Sequence, residues 1–339
     1  MIDIKENISL KLFNTFGIDV KCRYFTAVKT YESLIELGKQ FKLSTESTFI
    51  LGGGSNILLT KDLDQLVLKI NIQGIEKIDE DDEQVKFKVG SGVSWNDFVQ
   101  FCVGAKLGGL ENLSLIPGLV GAAPMQNIGA YGVEQNGCFV ELEAIDRTTN
   151  SVRTFNKSEC DFGYRSSYFK KEGKGKFIIT SVTYSLKKKP VLNTSYGAIQ
   201  ETLYEAGIAN PTIEDVSKAV VKIRKSKLPD PAEIGNAGSF FKNPVIDKID
   251  YEGLKAEFPN IPSYEVSKQL VKIPAAWLID QNGWKGYRDG DIGVHKNQAL
   301  VLVNHGNGNG QKIRDLAFEI KEKVAQTYGI ELEPEVNII

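Results

Sequence analysis

The segment Ser114–Gly132, SLIPGLVGAAPMQNIGAYG, constrains what this chain can fold into more than any other stretch. Gly118, Gly121, Gly129 and Gly132 leave no side chains for a helix or strand to pack, and Pro117 and Pro124 remove backbone donors, so neither regular element runs through it. The favoured form is an irregular loop that follows a ligand. Small residues let the main chain touch a flat ring, while backbone N–H groups and the Gln126 and Asn127 amides offer donors to phosphates. Composition alone also allows a tight packing loop.

A second loop of this kind follows an apolar run. Phe49-Ile50-Leu51 reads as a buried strand that runs into Gly52-Gly53-Gly54-Ser55-Asn56, ahead of another strand over Leu66 to Ile70. Two such loops suggest a dinucleotide with two ends to hold. The usual G-x-G-x-x-G fingerprint fails, because Ile57 stands where the third glycine belongs, and a Rossmann domain is disfavoured.

Elsewhere the pattern alternates short β-rich runs with amphipathic helices, which makes the class α+β. Ser94 and Asp97 open a helix whose face of Trp95, Phe98, Val99 and Cys102 is core. A strand containing Ile178, Val182, Tyr184 and Leu186 breaks at Lys187-Lys188-Lys189-Pro190. Thr212 and Asp215 cap a helix with Ile213, Val216, Val220 and Ile223 inward, Lys222, Arg224 and Lys225 near its negative end, and Leu228-Pro229 as its stop. A last helix buries Ile313, Leu316, Ala317, Ile320 and Val324 and ends at Gly329. Beyond it Ile330, Leu332, Val336 and Ile338 share one face of an alternating tail, and Glu331, Glu333 and Glu335 the other.

At 339 residues the chain is expected to form two or three packed units. A net charge of -2 with dispersed Lys and Arg gives no footprint for nucleic acid. Lys5, Glu6 and Lys11 interrupt any signal-peptide core, and no run approaches a membrane span, so a cytoplasmic location is expected. Cys22, Cys102, Cys138 and Cys160 stand far apart without a C-x-x-C pair and read as reduced structural thiols. With only His295 and His305, a three-histidine metal site is impossible and no metal is expected.

Six ordered motifs then carry a resemblance: GGGSN, IPGLVGAAPMQNIGAYG, FGYRSSYF at Phe162–Phe169, GNAGSFFKNP at Gly235–Pro244, AAWLIDQ at Ala275–Gln281 and LEPEV at Leu332–Val336. Together they resemble the UDP-N-acetylenolpyruvoylglucosamine reductase family, from about Asn14 to the last residue. The resemblance implies an α+β protein with a two-lobed FAD-binding domain of the vanillyl-alcohol-oxidase (PCMH) type and a C-terminal α+β substrate-binding domain. It also implies NADPH as co-substrate, UDP-N-acetylglucosamine enolpyruvate as substrate, and a monomer. The boundaries expected are residues 1–190 for the FAD-binding domain, with lobes at about 1–71 and 72–190, and 191–227 for a tyrosine loop and connecting helix. Residues 228–326 are the substrate-binding domain, and 327–339 a terminal strand that returns Glu335 to the active site.

Residue by residue, the resemblance makes Arg165 the carboxylate-facing arginine, Ser239 the proton donor, and Glu335 a carboxylate that orients or polarises the intermediate. Without the motifs these would read as a surface ion pair, a turn serine and one of three solvated acids. FAD contacts are expected from Gly52, Gly53, Gly54, Ser55 and Asn56 in the first loop. In the second they are expected from Ser114, Ile116, Pro117, Gly118, Gly121, Ala122, Gln126, Asn127, Gly129, Ala130, Tyr131 and Gly132. Tyr196, Lys227, Asn243 and Tyr264 are the expected substrate contacts, with Tyr196 marking the type I form that folds a tyrosine loop over the diphosphate. His305 departs from the acidic residue that some relatives place there, and its glycine-rich surroundings read as a turn before the last helix. Two rivals remain on sequence: a flavin oxidase of the same fold with another small substrate, and a nucleotide-sugar binding protein without turnover.

Overall fold

Period-two burial builds the first sheet. In the strand Leu63–Ile70, Leu66, Leu68 and Ile70 are buried on one face and Val67 on the other, and the strand runs parallel to Lys21–Val28 on one side and Thr48–Leu51 on the other. The strand Lys5–Ser9 completes the sheet. Parallel neighbours need a crossover, supplied by helix α1 (Tyr31–Gln40), whose Thr30–Ser33 capping box fixes its start and whose Leu34 and Leu37 pack on Val28, Leu68 and Ile70. These coordinates are a computed structural model, which describes residues 3–339.

A second, antiparallel sheet has the order Val152–Asn156, Phe139–Asp146, Phe177–Lys187, Gln84–Gly90, Ile75–Glu80. Helix α2 (Trp95–Gly104) starts at the Ser94 cap, where Asp97 N–H donates to Ser94 Oγ at 3.3 Å. Its Trp95 and Phe98 rings lie 5.8 and 5.4 Å from that of the fully buried Tyr184, so the expected stripe is core. Helices α3 (Gly197–Glu205) and α4 (Ile213–Lys227) pack Ile199 and Leu203 with Val220 and Ile223, and Tyr131 lies against this cluster. Thr212 and Asp215 cap α4 reciprocally: Thr212 N–H donates to the carboxylate at 2.9 Å, and Asp215 N–H to Thr212 Oγ1 at 3.3 Å.

These elements form one compact unit, comprising the described residues to Ile8, Cys22–Gly54 and Leu63–Ser226; the other comprises Ser9–Lys21, Ser55–Asp62 and Lys227–Ile339. The division at Lys227 falls where the connecting helix ends, while Ser9–Lys21 and Ser55–Asp62 leave the N-terminal part of the chain to pack with the C-terminal part.

The second unit centres on the antiparallel sheet Gly235–Asn236, Leu302–Asn304, Ile292–Val294, Arg288–Asp289. Helix α5 (Lys248–Glu257) lies by a small sheet of Val245–Asp247, Leu270–Lys272 and Tyr264–Glu265. Helix α6 (Ala275–Gln281) precedes the main sheet, and α7 (Gly310–Tyr328) buries the predicted apolar stripe before Gly329 closes it at φ +67°. The tail alternates as expected, with Ile330, Leu332 and Val336 buried, and its strand Asn337–Ile338 pairs in parallel with Ile57–Leu58. Among the described residues no helix is long and apolar enough to cross a membrane, and no cluster of His, Cys, Asp and Glu could hold a metal.

Candidate active site

In the first unit the two glycine loops meet. A Cβ on Gly53 would stand 3.0 Å from Gly118 Cα, tighter than most side-chain contacts, so backbone faces backbone there. Gly54 has φ +66° and Gly118 +116°, conformations that glycine alone adopts without cost. The long loop is tied to the start of α2 by Trp95 N–H to the Gly118 carbonyl at 3.0 Å, and to the strand ending at Gly90 by Gly121 N–H to the Ser91 carbonyl at 3.0 Å. A side chain on Gly121 would collide with Ser91. Ser91 itself, absent from the sequence reading, is buried with its hydroxyl lacking a hydrogen-bond partner.

Two polar side chains of the loop serve the protein itself. The Ser114 hydroxyl is fully buried, 2.8 Å from Ser217 Oγ of α4 and 2.8 Å from the Glu111 carbonyl. Asn127, in the left-handed region at φ +45°, donates to the Glu134 carboxylate at 2.7 Å and the Gly163 carbonyl at 3.2 Å. Its Oδ1 accepts from Gln135 Nε2 and Asn136 N–H, both at 3.3 Å. These two residues shape the loop. Pro117 and Ala122 are exposed, and Ile116, Gln126, Gly129, Ala130 and Tyr131 are half-buried.

Arg165 occupies the tip of a two-residue hairpin. Gly163 and Ser166 exchange both backbone hydrogen bonds, at 3.0 and 3.1 Å, and Arg165 has φ +50°. A non-glycine residue held in this region stores about 1 kcal/mol or more, a pattern concentrated at functional sites. The hairpin is fastened to the long loop by the Ser167 hydroxyl, which donates to the Met125 carbonyl at 2.6 Å, and by Arg165 Nη2, which donates to the Gly129 carbonyl at 2.7 Å. A Cβ on Gly129 would meet Glu134 Cγ at 2.8 Å, the Val133 carbonyl oxygen at 2.9 Å and Arg165 Nη1 at 3.3 Å, so glycine there lets the facing strand and the guanidinium come close.

A second guanidinium approaches the same loop. Arg224 of α4 donates from Nε to the Leu115 carbonyl at 3.2 Å and hydrogen-bonds the Tyr131 hydroxyl; burial pulls its pKa down, and Arg165 adds repulsion. No carboxylate among the described residues pairs with Arg224. Neighbouring cations of this kind favour an anionic ligand. The segment carrying Tyr196 is latched here too. The Asn112 amide donates to the Tyr131 and Asn193 carbonyls at 3.1 and 2.9 Å, Asn193 Nδ2 donates to the Gly132 carbonyl at 3.1 Å, and the Tyr131 and Tyr196 rings meet edge-on at 5.2 Å.

In the second unit the turn Asn236–Gly238 presents Ser239. The Asn236 amide donates to the Ile234 and Pro229 carbonyls and accepts from Gly238 N–H at 2.9 Å, with Gly238 at φ +71°. Ser239 is half-buried, and among the described residues its hydroxyl has no partner. Beyond it Phe240 and Phe241 are core, and the chain pairs with the tail: Glu335 N–H donates to the Phe240 carbonyl at 2.8 Å, and Lys242 N–H to the Glu333 carbonyl at 2.9 Å. The Glu335 carbonyl accepts from Asn56 Nδ2 at 3.1 Å, so one end of the first glycine loop also holds Glu335. Glu331 and Glu333 point to solvent with side chains 82% and 69% exposed, whereas Glu335 is half-buried. The three tail acids are therefore not equivalent.

The other expected contacts are scattered in environment. Lys227 is exposed at the end of α4, and Tyr264 is 61% exposed on its short strand. Asn243 caps α6 by accepting from Ala275 N–H at 2.9 Å. His305 is exposed in the turn before α7, and its pKa is pulled down by burial first and then by Arg288.

A model of the UDP-N-acetylenolpyruvoylglucosamine reductase C-terminal domain matches residues 230–339, and one of an FAD binding domain matches residues 23–154. A UDP-N-acetylenolpyruvoylglucosamine reductase of Flavobacterium johnsoniae is 53% identical over 339 residues, covering 100% of both chains. The chain belongs to the UDP-N-acetylenolpyruvoylglucosamine reductase family. A reductase of the same name from Pseudomonas aeruginosa is 46% identical over 337 residues, 99% of each chain. The crystal structure of the reductase from Thermus caldophilus superposes with a TM-score of 0.71 at 24% identity, covering 100% of this chain and 99% of that one, which establishes the shared fold. The FAD-binding plus reductase C-terminal organisation expected from sequence is thus present, and the chain is an FAD-dependent oxidoreductase.

The residues of the first unit fit FAD. Gly53 and Gly118 bring the two loops into close backbone contact, Gly54 turns away in the left-handed region, and the buried Ser91 hydroxyl has hydrogen-bonding capacity unused by protein. One cation at the base of the Gly52 loop, Lys69, escaped the sequence reading, although a lysine inside the apolar run LVLKI was a signal.

Proposed function

We propose that this chain reduces UDP-N-acetylglucosamine enolpyruvate to UDP-N-acetylmuramate for peptidoglycan synthesis, using NADPH, with Ser239 as proton donor and Arg165 and Glu335 stabilising the intermediate. Gly52–Asn56 and the Ser114–Gly132 loop would hold FAD, which when bound would supply the hydride chemistry at the terminal methylene carbon of the enolpyruvyl group. Charge then develops at the neighbouring carbon and its carboxylate. Arg165, fixed by its hairpin and by the Gly129 carbonyl, holds that carboxylate through charge-assisted hydrogen bonds that strengthen as charge grows.

Ser239 gives its hydroxyl proton to the carbanionic carbon; a C–H bond forms, the O–H bond breaks, and solvent reprotonates the alkoxide. A serine hydroxyl is a weak acid, so this step is feasible only against a strongly basic carbon. The observation that carries the reading is the backbone bond from Glu335 to Phe240, which seats a half-buried carboxylate next to the residue following an unpartnered serine hydroxyl. Tyr196 closes over the diphosphate as in the type I form, with Lys227, Asn243 and Tyr264 as further substrate contacts. The enzyme works as a monomer in the cytoplasm.

The test is anaerobic. NADPH should bleach the flavin absorbance of the holoenzyme, and the enolpyruvyl UDP-sugar should restore it with stoichiometric UDP-N-acetylmuramate. A flavin that stays reduced would rule out this substrate in favour of another flavin-linked reaction.

A further inference from the structure

Lys69 interrupts the buried run Leu66 to Ile70 of its strand. Its neighbours Leu68 and Ile70 turn into the α1 core, and Lys69 projects from the opposite face. The parallel register sets it beside Leu51, the residue that feeds the Gly52 loop. Its Nζ donates to the Gly52 carbonyl, the side chain is half-buried, and no carboxylate among the described residues forms an ion pair with it. Burial is the one influence on its acidity, and it acts against the charged form.

An ammonium has three N–H donors, and a single neutral carbonyl neither completes them nor compensates the charge. The arrangement stands at the carboxyl end of parallel strands, where α/β sheets take their ligands, and beside a loop whose Gly53 packs closely on the Gly118 backbone. What completes it is an anion brought by the ligand of that loop. We propose that Lys69 is the counter-charge for the diphosphate of FAD at the Gly52 loop. This rests on the assignment of FAD to that loop.

The experiment is titration of FAD into the full-length apoprotein, followed by flavin fluorescence at several salt concentrations, for the wild type, Lys69→Met and Lys69→Arg. Removing a charge-assisted contact should weaken FAD about ten- to a hundredfold in Lys69→Met and flatten the salt dependence of its affinity. Lys69→Arg should recover most of both, and riboflavin, which lacks phosphate, should bind all three proteins alike. The inference is overturned if Lys69→Met binds FAD within twofold of the wild type, or if FAD and riboflavin weaken together with an unchanged salt slope, the mark of a loop-shaping role. A wild type that binds FAD yet fails to turn over the UDP-sugar defeats the functional reading and leaves this one standing; a wild type that binds no FAD defeats both.

Discussion

Glu335 donates its backbone N–H to the carbonyl of Phe240 at 2.8 Å, and Phe240 directly follows Ser239. Phe240 and Glu335 stand 95 positions apart in sequence, and strand-like backbone pairing sets them side by side. Ser239→Ala should leave flavin reduction by NADPH intact and slow turnover of the enolpyruvyl substrate about a hundredfold or more, measured by stopped flow. Because the hydroxyl has no partner among the described residues, the melting temperature should hardly move. Equal losses in both half-reactions would make Ser239 structural.

Arg165→Lys is expected to cost about a hundredfold in kcat/KM for the UDP-sugar. A lysine that reached the Gly129 carbonyl would have no planar fork left for a carboxylate. Near-normal kcat/KM would refute the carboxylate-holding role.

Asn127 offers a stability test. Its amide is buried and bonded at both ends, so Asn127→Ala should lose about 2–4 kcal/mol in urea denaturation. Asn127→Asp should be worse, since it replaces the donor facing Glu134 with a second carboxylate oxygen. An aspartate variant as stable as the wild type would sink this assignment.

The thiols give a pH prediction. Burial pushes Cys138 and Cys160 up to about 12, and Cys102 is raised for the same reason. In the unfolded chain thiols ionise near about 8.5. Above that pH the unfolded state therefore holds fewer protons than the native one, so the buried thiols contribute a loss of stability as pH rises from about 8.5 toward about 12. At pH 8 a thiol-specific disulfide reagent should label the fully buried Cys102 and Cys160 only as fast as the protein unfolds; rapid labelling of these two in native protein would contradict their burial.

Much of this was legible in sequence where the information is local. The caps at Ser94 and Thr212, the stripe of the last helix and the alternation after Gly329 are nearest-neighbour patterns, and each is realised. The ligand-type loops announced themselves by composition. What sequence could not show is which polar groups the protein keeps for itself: Ser114 and Asn127 look like ligand donors in a glycine-rich string, but their side chains are engaged by Ser217, Glu134 and Gly163, partners that only folding brings close. The same holds for Ser91, Lys69 and the left-handed Arg165, whose significance comes from neighbours across the fold. The interleaving of Ser9–Lys21 and Ser55–Asp62 with the C-terminal part is likewise a matter of long-range pairing, which leaves no periodic trace.

The amide of Asn56 meets the carbonyl of Glu335 across 279 positions of sequence. During synthesis at about 5–20 residues per second, the loop residue waits roughly 14–56 s for its partner. Nascent chains therefore carry both glycine loops well before the Glu335 carbonyl can be seated. Translation itself orders the assembly, with the terminal strand of the second unit completed last.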